Sequence, residues 1–123
     1  MSLKEVNNDI ANSSKNFLTI DDLLVPNPSS TVLYRMKGDS MINENIFDRD
    51  ILIVDRNIKP KNNQIVIVSV KENLIVYKYF ENFEEKLLKS NNFVIKNQVL
   101  CKNKSIYVWG VVTYSLRKIL FNN

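Results

Sequence analysis

A chain of 123 residues, 45% apolar and 24% charged, has the length and balance of one soluble domain able to bury a core without cross-links, which excludes wholesale disorder. One cysteine excludes an internal disulfide and a cysteine-rich metal site, and the lack of histidine excludes a Ser-His-Asp triad, a Cys-His pair and histidine-ligated zinc. The net charge of +4 is scattered over Lys59 and Lys61, Lys102 and Lys104, and Arg117 and Lys118 without a dense stripe, so direct DNA binding is not indicated.

Residues 1–16 are polar and aperiodic and read as a mobile arm, leaving 17–123 as the folded domain. Thr19 followed by Asp22 forms a helix N-terminal box, with Ile20, Leu23 and Leu24 on one side and Pro26 ending the turn. Thr31 to Met36 reads as a strand that delivers Gly38-Asp39-Ser40-Met41, a tight turn able to expose the Ser40 hydroxyl while aiming nearby backbone N–H groups at one point. Gly38, Asp39 and Met41 are the turn and oxyanion candidates around it. A polar segment, Asn43 to Asp50, follows, then the buried strand Ile51 to Val54. Gln64 to Val70 and Leu74 to Phe80 are strands joined by a hairpin loop at Lys71-Glu72-Asn73. A short strand around Leu87 and Leu88, another at Phe93 to Ile95 and the long run Ser105 to Leu116 complete a mainly β domain, with Gly110 marking a bulge or a close backbone approach. The aliphatic runs are strand-length, far short of a membrane span, and no signal-peptide pattern opens the chain, so a cytoplasmic location is expected.

Without histidine, a serine nucleophile needs lysine or a carboxylate as its base. Lys78 is the candidate because residues two apart on a strand share a face, which sets it beside Leu74, Val76 and Phe80. Burial disfavours an ammonium, and a neutral lysine beside a serine hydroxyl replaces histidine as general base. The competing outcome is a lysine that packs its stem and carries its charged end to solvent. Asp39, Asp48 and Asp50 read as turn and cap residues, Cys101 as a small core residue, and Trp109 as packing.

Together these residues resemble the LexA/UmuD family of self-cleaving serine-lysine peptidases, most closely its UmuD-like mutagenesis branch. The matching positions are Leu23-Leu24, Asn27-Pro28, Thr31, Gly38 to Ile42, Ile46, Asp48, Asp50 to Asp55, Ile65-Val66 and Gly110 to Thr113. The resemblance implies a LexA/signal-peptidase-type fold of several coiled β-sheets around a barrel-like core, with Ser40 as nucleophile, Lys78 as general base and no cofactor or metal. It further implies cleavage of the protein's own N-terminal arm, stimulated by RecA on single-stranded DNA. A homodimer that serves a Y-family translesion polymerase completes the expectation. The chain departs from the pattern in three ways. The family's Asp-Gly-Asp is Asp48-Arg49-Asp50, and its Gly-Asp before the next strand is Asn63-Gln64, so two turn glycines are replaced. The hairpin before Lys78 is one residue longer than in UmuD-like sequences, by the loop given above. No Ala-Gly or Cys-Gly bond of the kind the family cuts occurs, and counting back places the scissile position near Lys4 and Glu5. The chain therefore approximates a processed form or is cut at another bond. The self-cleavage half of a LexA-like or phage repressor, and a binding module with a vestigial dyad, are the rival readings.

Overall fold

The computed structural model describes residues 18–90, 94–96 and 106–120. The arm at 1–16, Cys101 and Phe93 lie outside the described residues. Helix α1 (Ile20–Leu24) opens on the expected box: Thr19 Oγ1 accepts from the Asp22 N–H at 3.0 Å, and the Asp22 carboxylate accepts from the Thr19 N–H at 3.3 Å. The strands are β1 (Thr31–Arg35), β2 (Ile51–Asp55), β3 (Ile65–Val70), β4 (Asn73–Glu81), β5 (Lys86–Lys89), β6 (Val94–Lys96) and β7 (Ile106–Leu116).

The strands form one seven-stranded sheet in the order β1-β2-β7-β3-β4-β5-β6, each neighbouring pair antiparallel. The fold is mainly β as expected, with hydrogen bonding continuous where several sheets were anticipated. Period-two alternation divides the core between the two faces of the sheet. Ile67 and Val76 point to a cluster with Met36, Met41, Ile46, Leu52 and Val54. Val66 and Val68 point to the other, with Tyr77, Tyr79, Leu88, Ile106 and Val111. The first cluster joins β2, β3 and β4 to the loop after β1, so the sheet curls around it. Tyr34 on β1 closes the curl, donating its hydroxyl proton to the Leu74 carbonyl on β4 at 3.1 Å although three strands separate the two in the sheet.

Two register shifts in β7 assist this curvature, one against Ile53 and Val54 of β2 and one against Ile67 and Val68 of β3. Gly110 sits at the second. A Cβ there would lie 2.5 Å from Val54 Cγ1 and 3.4 Å from the Asp55 carbonyl, so the close approach expected of this glycine is present.

The positions that lost their glycines bend nonetheless: Arg49 has φ 74° and Asn63 φ 71°, both left-handed. The hairpin between β3 and β4 corrects the sequence reading. Val70 pairs with Asn73, so the loop is Lys71-Glu72 alone, with φ 50° and 71°. Positive φ at both central residues is the type I′ pattern that matches strand twist, but neither side chain favours it. Lys71→Asn combined with Glu72→Gly is expected to raise stability by about 1 kcal/mol. Urea denaturation checks this, and an unchanged midpoint would show that the backbone there carries no strain.

Candidate functional site

The serine turn is built by burying what lies on either side of it. Met36 ends the approach from β1 at 2% exposure, and Met41 and Ile46 pin the far side at 1% and 4%. With these anchors in the core, Gly38, Asp39 and Ser40 are left at its rim, Ser40 half-buried. Gly38 takes φ 84° with open space where a Cβ would go, so it is needed for its backbone conformation and not for close packing. Its N–H donates to Asp48 Oδ1 at 2.7 Å. The Ile42 N–H closes the turn on the Asp39 carbonyl at 3.2 Å, and a 3₁₀ turn (Ile42–Glu44) follows.

Asp50 secures the base of the same loop. Its side chain is 1% exposed and accepts from the Phe47 N–H at 2.9 Å, from Ser115 Oγ at 3.3 Å and from Arg117 through Nε at 3.0 Å and Nη2 at 3.2 Å. Arg117 also donates to the Asn45 carbonyl and stacks on Phe47, 4.0 Å from the ring centre. The Arg117 hydrogen bond, first of all, holds the Asp50 carboxyl below the usual carboxylate range. Burial opposes it, and the Phe47 N–H, the Arg117 charge and Ser115 assist. Asp55 performs a similar task before β1. It accepts from the Asn57 N–H at 2.8 Å, Ser30 Oγ at 2.8 Å and Asn27 Nδ2 at 3.2 Å, and its carboxyl is lowered chiefly by the Asn57 N–H. Asp48 and Asp50 are thus turn-holding residues, as read from the sequence. Trp109 packs against the first core cluster beneath the Arg56 guanidinium, which matches its expected packing role.

Lys78 lies on the β4 face that also carries Leu74 and Val76, which both join the first core cluster. Its stem is enclosed, and its Nζ reaches Glu44 Oε1 at 2.7 Å, with the two side chains 28% and 29% exposed. The ammonium also lies 5.6 Å from the centre of the Phe80 ring. Met41, Glu44, Lys78, Phe80 and Lys89 line a cavity of about 290 Å³ between the 3₁₀ turn and the β4-β5 face. The structure therefore sets Lys78 on one cavity with Met41, the residue that follows Ser40. Ser40 itself does not line this cavity, and among the described residues no hydrogen bond joins Ser40 Oγ to Lys78. Glu44, which holds the ammonium instead, passed as one more polar residue of the segment Asn43 to Asp50, and no spacing in the sequence links it to β4.

Among the described residues no group of three or more cysteine or carboxylate side chains could hold a metal ion. No helix among them is long and apolar enough to cross a membrane.

Comparison with known proteins gives this arrangement a context. Residues 4–113 match the profile of the Peptidase S24-like family. Protein MucA of Salmonella typhimurium is 30% identical over 102 residues, covering 83% of this chain and 70% of MucA. LexA repressors of Syntrophobacter fumaroxidans and Caldicellulosiruptor saccharolyticus are 43% and 31% identical over 68% and 71% of this chain. The aligned part is 40% and 42% of those repressors, so the chain corresponds to well under half of their length. A profile matched over nearly the whole chain, with MucA and LexA proteins among the relatives, places the protein in the Peptidase S24-like family, the SOS-related self-cleaving serine peptidases of the LexA/UmuD type.

Proposed function

We propose that this protein is a UmuD-like autopeptidase, or its processed form, with Ser40 as nucleophile and Lys78 as general base. The observation that carries the reading is the shared position of the two segments: a serine turn anchored by Met41, and Met41 lining one cavity with Lys78. A neutral Lys78 takes the Ser40 proton as Oγ attacks the carbonyl of an extended segment of the arm. The lysine then returns that proton to the leaving amine, and water hydrolyses the resulting ester. The N–H groups of the serine turn, at Ser40 and Met41, are the candidates for holding the oxyanion, with Gly38 and Asp39 shaping the turn.

In this reading the trimmed protein acts as a homodimer with a Y-family translesion polymerase, and a RecA filament on single-stranded DNA stimulates cleavage. Coverage of both this chain and MucA beyond two thirds favours the mutagenesis role over that of a repressor fragment.

The test is labelling of the intact protein by a serine-directed fluorophosphonate from pH 6 to 10, beside Ser40→Ala and Lys78→Ala. Labelling that climbs with pH and disappears in both variants is expected. Labelling that persists without Lys78, or none at any pH, defeats the dyad.

A further inference from the structure

Glu44 occupies the group that the proposed chemistry needs free. A base must present its nitrogen to the proton it takes, and a nitrogen held 2.7 Å from a carboxylate is already committed to another partner. Each side chain is less than a third exposed, so solvent screens the pair less than it would a surface pair. Lys89 lies directly across from Lys78 on β5 and shares its face, whereas Glu81 on β4 and Lys86 on β5 pair with each other on the opposite face, and the β3 neighbour is the uncharged Ile65. Glu44 is therefore the one neighbouring carboxylate in contact with the ammonium among the described residues.

Glu44 is also well placed to let go. It ends the short 3₁₀ turn, beside Asn45 in a left-handed conformation at φ 61°, and neither Ile42, Asn43 nor Glu44 is buried there. The turn forms one wall of the cavity and the β4-β5 face forms the other. A chain segment settling against Lys78 from this side has to meet the Glu44–Lys78 bridge first.

We infer that Glu44 is a latch on the site: its ion pair keeps the Lys78 amino group engaged away from Ser40 at rest, and a segment occupying the cavity breaks it. The inference rests on Lys78 being the base. It makes Glu44 a positioning residue that acts through Lys78 and sets the threshold for reaction.

The experiment follows Ser40 labelling by the fluorophosphonate against pH in wild type, Glu44→Gln and Glu85→Gln. NMR spectra of the same proteins report the environment of the Lys78 side chain and also report folding. Glu85→Gln removes an equal charge from the adjoining cavity, where Glu85 lies with Phe80 and Lys89, without touching the bridge. In Glu44→Gln labelling near neutrality is expected to be about tenfold faster, and the Lys78 side-chain signal is expected to leave its wild-type position. Glu85→Gln should follow wild type. A Lys78 signal and a labelling curve unmoved by Glu44→Gln overturn the latch while leaving the dyad intact. A Lys78 signal that moves while Ser40 stays unlabelled in every protein overturns the dyad, and the latch falls with it. Equal shifts in both variants overturn the latch in favour of a general charge effect.

Discussion

Asp50→Asn is expected to lower the free energy of unfolding by about 2–3 kcal/mol at neutral pH. The carboxylate is buried and receives the Phe47 N–H, the Ser115 hydroxyl and two nitrogens of Arg117. An amide of the same shape turns one acceptor into a donor, which then faces another donor. Arg117 is half-exposed and can turn to water, so the estimate stays below the cost of an ion pair sealed in the interior. The pH dependence gives the sign. Asp50 is held below its unfolded value when folded, so its contribution is fully present above the ordinary carboxylate range. It fades as pH falls through the lowered value. Urea denaturation of the two proteins should therefore show a gap at pH 7 that closes in acid. A gap that persists undiminished at the lowest pH where both proteins fold would mean that shape, not charge, holds the loop.

Gly110→Ala is expected to cost about 2 kcal/mol, because the new methyl group would sit 2.5 Å from Val54 Cγ1. Neither side has room to yield. Gly110 pairs with Ile67 of β3, its neighbour Val111 pairs with Asp55 of β2, and Val54 is a branched, fully buried residue of the first core cluster. Val54→Ala alone opens a cavity at a similar cost. In the double variant the added methyl fills part of the space that was removed. Its loss of stability should fall short of the sum of the single losses by about 1 kcal/mol, measured as a double-mutant cycle. Strict additivity would show that the contact is relieved elsewhere.

Most strands were legible in the sequence because aliphatic runs of strand length are bounded here by asparagine, lysine and proline. The helix was legible from Thr19 and Asp22. The hairpin was misjudged by one residue because Lys71 and Glu72 carry none of the glycine or asparagine that marks a two-residue turn, and the backbone adopts positive φ without them. Periodicity placed Lys78 on the face of Leu74 and Val76, but it could not show that Glu44 would claim its ammonium, since that contact depends on how the loop after β1 folds back. Arg117 escaped notice for the same reason. It read as one of several scattered basic residues, whereas tertiary structure makes it the partner of a buried carboxylate.

The placing of β7 between β2 and β3 carries a consequence for biogenesis. Strands β1 and β2 pair with each other locally, and β3, β4 and β5 form a second local set, but among the described residues only 106–116 pair along both sets to make one sheet. A ribosome delivers those residues after all the other described strands. Until then Leu52, Val54, Val66 and Ile67 lack the neighbouring strand that completes their sheet. A nascent chain in that condition offers unpaired aliphatic edges, the kind of surface that chaperones bind and that otherwise associates with its own copies. Completion of the last long strand is thus the point at which the polypeptide commits to its native topology, and pairings so distant in sequence make that step slow compared with the hairpins that precede it.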